Sequence, residues 1–333
     1  MKIIAMRKKS SLALAVMFLV GGISVVSAQA QRWKPDKHVE LVVPFAAGAN
    51  ADRLARAMQT IWTANRLVQT TSAVVNKGGG GGAVGWLYMS QHAKDPHYVA
   101  IGSPTLLTNH IVGTGQLNYT DFTPIATLLN ESTVFAVKVD SVIKSGHDLI
   151  EGLRADPQAL SISVGSALGN SNHIALALVA KAAGIDPKRL KVVAFGPAGA
   201  AMTALLGGHV DVAVSSLGVF VPQVEAGKLR VVAVGSPQRL SGAFATVPTW
   251  KEQGIAARFG SWRVMLGTKG ITNEQVAFWE EAIARLDKTE GWQAMARSLM
   301  WELAFKGSRD TRESLDADYA ILKAVLTDLG MAK

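Results

Sequence analysis

The residues of this chain best suited to chemistry lie in two turns of small side chains. Val164-Gly165-Ser166-Ala167-Leu168-Gly169-Asn170-Ser171-Asn172-His173 leaves a β-type run at 160–164 and opens into an apolar helix pattern from Ile174 to Ala180. Pro44-Phe45-Ala46-Ala47-Gly48-Ala49-Asn50-Ala51-Asp52 follows the strand-like Val39–Val43 and precedes a helix in the same way. At such a turn, free backbone N–H groups and the positive end of a helix dipole converge, and small side chains let a ligand reach them. The chemistry expected is capture of a small anion between two cradles.

The elements that must position these turns follow from periodicity. Strands are expected at Val39–Val43, 73–76, Tyr98–Gly102, 125–129, 134–139, 160–164, 190–194, 210–215, Leu229–Val234 and 262–266. Between them, Asn50 is expected to cap a helix with Leu54, Met58 and Ile61 on one face, and Ser145 with Asp148 reads as a capping box. Leu315, Tyr319, Leu322, Leu326 and Leu329 recur at helical spacing near the end of the chain, the signature of core packing. Alternating strands and helices predict an α/β fold of mainly parallel sheets flanked by helices, with sites at the carboxyl ends of strands. The length exceeds what one core organises, so two lobes are expected. With chain crossings near 125–129 and 231–236, residues 31–127 plus 236–333 form lobe I and 128–235 form lobe II.

The N-terminus indicates the compartment. Lys2, Arg7, Lys8 and Lys9 precede an apolar run from Leu12 to Val26, and Ala28-Gln29-Ala30 follows as a small-x-small cleavage site. Residues 1–30 therefore read as a Sec signal peptide, and the expected location is the periplasm. The run is short for a membrane span and carries Gly21 and Gly22. The chain has no cysteine, which excludes a lipidated N-terminal Cys, disulfides and thiolate metal sites. Removing the four leader cations from the formal charge of +9 leaves +5, a modest surplus that suits an anionic ligand as well as a solvated basic surface. No basic cluster interleaves with aromatics, so nucleic acid is not an expected partner.

Enzyme motifs are weak. Gly80 to Gly85 formally matches GxGxxG, but no acidic residue stands about 20 positions on and the unit does not open the fold. There is no GK[ST], HExxH or GxSxG, and the seven histidines lack ligand-like spacing, so no metal, cofactor or catalytic residue is expected. His173 reads as a hydrogen-bonding residue of a helix's first turn in preference to a general base.

Four motifs in order carry a resemblance over nearly the whole mature chain. Pro44-Phe45-x-x-Gly48-x-x-x-Asp52, Val75-Asn76-Lys77 running to Gly85, Ser166-x-x-Gly169-x-x-Asn172-His173, and Ala204-Leu205-Leu206-Gly207-Gly208-His209-Val210-Asp211 resemble the tripartite tricarboxylate transporter receptors, the TctC/Bug family. The resemblance implies a two-lobed periplasmic binding protein, a type II-like Venus flytrap. It implies a monomer that captures a small di- or tricarboxylate or aromatic acid and presents it to inner-membrane permease subunits. The gripping positions it implies are Phe45, Ala46, Ala47, Gly48, Ala49 and Asn50 in one lobe, and Ser166, Ala167, Leu168, Gly169, Asn170, Ser171, Asn172 and His173 in the other. Asp52 matches the family's first-helix acid, read as helix-dipole compensation ahead of ligand contact. Phe195 and Gly196 match an aromatic turn that forms a pocket wall. Departures at Ala49, Gly78, Ala167 and Pro197 change backbone freedom at turns, so the ligand cannot be copied from relatives.

The gripping turns carry no Lys or Arg. Arg263 is therefore a candidate cation for a distal carboxylate and equally a salt-bridge partner, and Trp262 could sandwich a flat acid with Phe45 or belong to the core. Two other functions share the pattern: a sensing module for a two-component system, and a periplasmic enzyme with His173 as acid or base.

Overall fold

The computed structural model describes residues 32–165, 168–195, 198–257 and 259–333, and residues 33–333 form one compact unit. Its order begins β1 (Val39–Val43), α1 (Asn50–Ala64), β2 (Ser72–Asn76), α2 (Ala83–Ser90), β3 (Tyr98–Gly102), α3 (Thr105–Ile111) and β4 (Thr123–Lys138). Then come α4 (Gly146–Ala155), β5 (Ser161–Ser163), α5 (Ser171–Ala182), β6 (Lys191–Val193), α6 (Ala198–Leu206), β7 (Val212–Ser216), α7 (Val221–Glu225) and β8 (Leu229–Val234). The chain finishes with β9 (Gly260–Gly267), α8 (Asn273–Asp287), α9 (Glu290–Ser298), β10 (Trp301–Lys306) and α10 (Ser308–Asp328).

The fold is α/β, with most strands of each ladder running one way. In the first half β1 pairs parallel with β2 and β3, and β9 and β10 run against β4. In the second half β5, β6 and β7 are parallel, and only β4 opposes them and β8. β4 belongs to both halves: Ser132 pairs with Gly260 of β9, and the next residue, Thr133, pairs with Ser216 of β7.

That continuity corrects the expected pair of strands at 125–129 and 134–139. The polar run Asn130-Glu131-Ser132-Thr133 looks like a connection, yet Glu131, Ser132 and Thr133 are buried inside one strand of 16 residues. Burial is tolerated because Glu131 accepts from Arg263 Nη2 at 3.0 Å and from Ser216 Oγ at 2.9 Å. β10 is an addition that periodicity did not show, since its residues are half-buried or exposed along the β4 ladder.

Each half has a core on both sheet faces. In the first half, Leu41, Met58, Trp62, Trp279 and Trp292 fill the side under α1, α8 and α9, and Val42, Trp86, Phe122, Leu315 and Leu326 fill the side under α2, α3 and α10. In the second, Phe135, Ile162, Leu176 and Trp250 pack under α4 and α5, while Val134, Leu205, Phe220 and Phe244 pack under α6 and α7. Leu315, Leu322 and Leu326 of α10 are buried, as their spacing predicts. Ser145 and Asp148 form the capping box of α4. Asn50 is not a cap: Ala49 occupies the N-cap position of α1 without a side-chain bond, and Asn50 is the first helical residue. No helix among the described residues is long and apolar enough to cross a membrane.

Candidate functional site

The first turn is built from three segments that the sequence keeps apart. Gly48 takes φ +81°, a left-handed conformation that costs glycine nothing and L side chains roughly 1–2 kcal/mol. Its N–H donates to Asp52 Oδ2 at 2.8 Å, and Asn76 Nδ2 donates to Asp52 Oδ1 at 2.9 Å. Arg56 Nε reaches the same carboxylate at 3.1 Å. Burial alone would raise the Asp52 pKa, but the bonds from Arg56, Gly48 and Asn76 together hold it below the ordinary aspartate value. Asp52 thus works as an internal clamp on the turn, a role beyond dipole compensation.

Beneath the turn runs the glycine stretch. A Cβ on Gly85 would lie 2.5 Å from Pro44 Cβ and 2.6 Å from Pro44 Cα, so only glycine lets α2 approach here. Gly78, Gly82 and Gly85 of this stretch pack against residues 44–46 of the turn. With Gly48 N–H engaged and Ala49 N–H donating to Ala46 O at 3.2 Å, the N–H groups of Ala46, Ala47 and Asn50 remain without partners among the described residues. They face an approach of exposed or half-buried alanines.

The second turn is clamped by side chains of its own helix. Asn170 is the N-cap of α5, its Oδ1 accepting from the N–H of Asn172 and His173 at 3.0 and 2.9 Å. Asn170 Nδ2 and Asn172 Nδ2 both donate to Val164 O, at 2.8 and 3.2 Å. Gly169 N–H donates to His173 Nδ1 at 2.9 Å, which places the imidazole proton on Nε2. Burial lowers the His173 pKa, so the ring is neutral at pH 7. The N–H of Ser171 has no partner among the described residues and opens α5 at its positive dipole end. Leu168 is half exposed at the tip. Ser166, Ala167 and Gly196 lie outside the described residues. Phe195, just past β6, ties that strand's end to the second turn, its N–H donating to Gly165 O at 2.7 Å while its half-buried ring packs on the core under α6.

Trp262 and Arg263 are not brought to the turns. Trp262 is buried in the core under α10, whereas Phe45 packs on the core of the opposite sheet face, so the two rings do not form a sandwich. Arg263 is buried and engaged: Nη2 pairs with Glu131, and Nη1 donates to Ser261 Oγ at 2.7 Å and Trp262 O at 3.0 Å. It takes the salt-bridge alternative, in a buried form at the β4 switch.

An exposed cation, Arg53, stands one position past the first-turn motif. It lines a small cavity with Asn50, Ser132, Ser216, Met300 and Glu131, the last already paired with Arg263, where the first turn meets the β4 switch. It is exposed, with no ion pair among the described residues. Its signal was the spacing from Asn50: three residues apart on a helix share a face, but Arg53 stands one position past the recognisable motif. Among the described residues no group of three His, Asp or Glu could hold a metal ion.

The family model described as Tripartite tricarboxylate transporter family receptor matches residues 54–300, most of the chain. The chain belongs to this family of receptors. A TctC solute binding protein from Polaromonas, solved without ligand, superposes with a TM-score of 0.75 at 27% identity, covering 89% of this chain and 99% of that one. The structure of R. palustris Rpa4515 with adipate gives a TM-score of 0.77 at 25% identity over 90% of this chain and 99% of that one. A UPF0065 protein of Bordetella bronchiseptica is 25% identical over 255 residues, 76% of this chain and 73% of the relative. TctC receptors are periplasmic binding proteins, not enzymes.

Proposed function

We propose that this TctC receptor captures a small carboxylate in the periplasm, without catalysis, and presents it to the inner-membrane permease subunits of a tripartite transporter. The observation that carries the reading is the pair of clamped turns. Each follows a strand, each opens a helix, and each keeps N–H groups without partners among the described residues. Each helix end contributes about 0.3–1 kcal/mol to an anion, and up to about 2 when partly buried. Arg53 supplies the cation for a second acidic group, which favours diacids such as the adipate held by the R. palustris relative. Arg263, paired with Glu131, serves as the structural tie beneath the site.

In this reading residues 1–30 are the export signal. Two lobes, 31–127 with 236–333 and 128–235, hinge at the two chain crossings near 125–129 and 231–236 and close on the acid, because contacts from both lobes favour the closed state. A thermal-shift screen of organic acids tests the proposal. A true ligand at about 100 times its dissociation constant adds roughly 2.7 kcal/mol of stability. A midpoint moved by a sugar or a cationic amine, and by no carboxylate, removes the proposal.

A further inference from the structure

A crevice of about 370 Å³ lies between residues 236–241, which leave β8, and residues 296–302, which join α9 to β10. This is within the range of small-molecule sites, roughly 300–1,000 Å³. Neither clamped turn contributes to it. Pro237, Leu240, Met300 and the half-buried Trp301 give it apolar walls, and Arg297 and Glu302 stand on its lining.

The charges decide what it would hold. Arg239, also on the lining, is already paired through Nε with both Glu252 oxygens, at 2.9 and 3.1 Å. Arg297 and Glu302 have no ion pair among the described residues, with each other or with another group. An anion alone would leave Glu302 opposed, and a cation alone would leave Arg297 opposed. A molecule carrying both charges on an apolar body satisfies the two at once.

Met300 adds a further observation. It follows the C-cap Leu299 of α9 at φ +54°, the position where helices commonly place glycine. Its side chain packs against the core under α6 and α7 and forms part of the wall of this crevice and of the cavity beside Asn50.

We propose that this crevice is a second binding site, for a small zwitterion with an apolar or aromatic side chain, the chemistry of a free hydrophobic amino acid. Arg297 takes the carboxylate, Glu302 the ammonium, and Trp301, Met300 and Leu240 the side chain. The site stands independently of carboxylate capture at the turns.

L-Phenylalanine is the probe, with benzoate and phenethylamine as its singly charged counterparts. The full chain is labelled at Met methyl groups and Trp indoles, and the Met300 and Trp301 signals are assigned with Met300→Leu and Trp301→Phe. Phenylalanine is expected to move both signals, with the two counterparts binding at least tenfold more weakly. Arg297→Ala and Glu302→Gln, both at exposed positions, are each expected to weaken phenylalanine about tenfold. Signals unmoved by phenylalanine overturn the proposal, as does benzoate or phenethylamine binding equally well. Phenylalanine affinity unchanged in both charge variants also overturns it, because the amino acid then sits elsewhere.

Discussion

Replacing Asp52 by alanine tests the clamp on the first turn. The carboxylate is buried and accepts from Gly48 N–H, Asn76 Nδ2 and Arg56 Nε. In Asp52→Ala the exposed Gly48 N–H and the half-buried Asn76 amide lose a charged acceptor, each such bond being worth about 1.5–3 kcal/mol at full strength and less where water replaces it. The Arg56 side chain is 54% exposed, so its loss adds little. The expected total is roughly 3 kcal/mol, a fall in melting temperature of about 6 °C for a chain of this size. The pH dependence has a defined sign. A depressed carboxylate stabilises the fold above its ordinary pKa, near 4, and that contribution is lost as pH falls through the folded value. The variant should therefore show a flatter decline below about pH 4 than the parent, read by denaturant melts at each pH. Gly48 also loses its anchor, and with it the alignment of the Ala46 and Ala47 N–H groups, so acid binding should weaken at least tenfold by calorimetry. A melting temperature within about a degree of the parent, with unaltered acid binding, would show that the turn keeps its shape without Asp52 and refute the clamp.

Three other outcomes follow from the same contacts. Gly85→Ala pushes a methyl group into Pro44, so it should lower stability by about 1–3 kcal/mol and weaken acid binding together, measured by melts and calorimetry. His173, neutral through burial, makes the protein less stable as pH drops from about 6.5 toward its lowered folded pKa, because the unfolded chain takes up the proton first. His173→Asn, which keeps an acceptor for Gly169 N–H, should remove that slope in melts between pH 7 and 5. Arg263→Met leaves Glu131 buried without its cation and should cost about 3–5 kcal/mol, most of it recovered in the Glu131→Leu/Arg263→Met double variant by denaturant titration.

Much of this architecture was legible because its signals are local. Val39–Val43, Tyr98–Gly102 and Leu229–Val234 are apolar runs whose expected ends coincide with β1, β3 and β8. Both turns could be read from glycines and small residues between a strand and a helix. What escaped depends on partners distant in sequence. Asn130 to Thr133 read as a break until Arg263 and Ser216 supply the bonds that bury Glu131. Asp52 read as a dipole partner because its donor Asn76 lies 24 residues on. Trp262 and Arg263 are neighbours on β9, where alternation sends adjacent side chains to opposite faces, one into the α10 core and the other onto Glu131. Arg53 was passed over because a lone exposed cation on an amphipathic helix resembles any solvated face.

Under the proposed function, backbone N–H groups of the two turns hold the ligand's carboxylate. Amide chemical shifts test it most directly, with the acid giving the largest thermal shift titrated into the uniformly ¹⁵N-labelled chain. The amides of Ala46, Ala47, Asn50 and Ser171 are expected to shift downfield together and saturate with one dissociation constant. Saturable binding that leaves those four amides in place would contradict it.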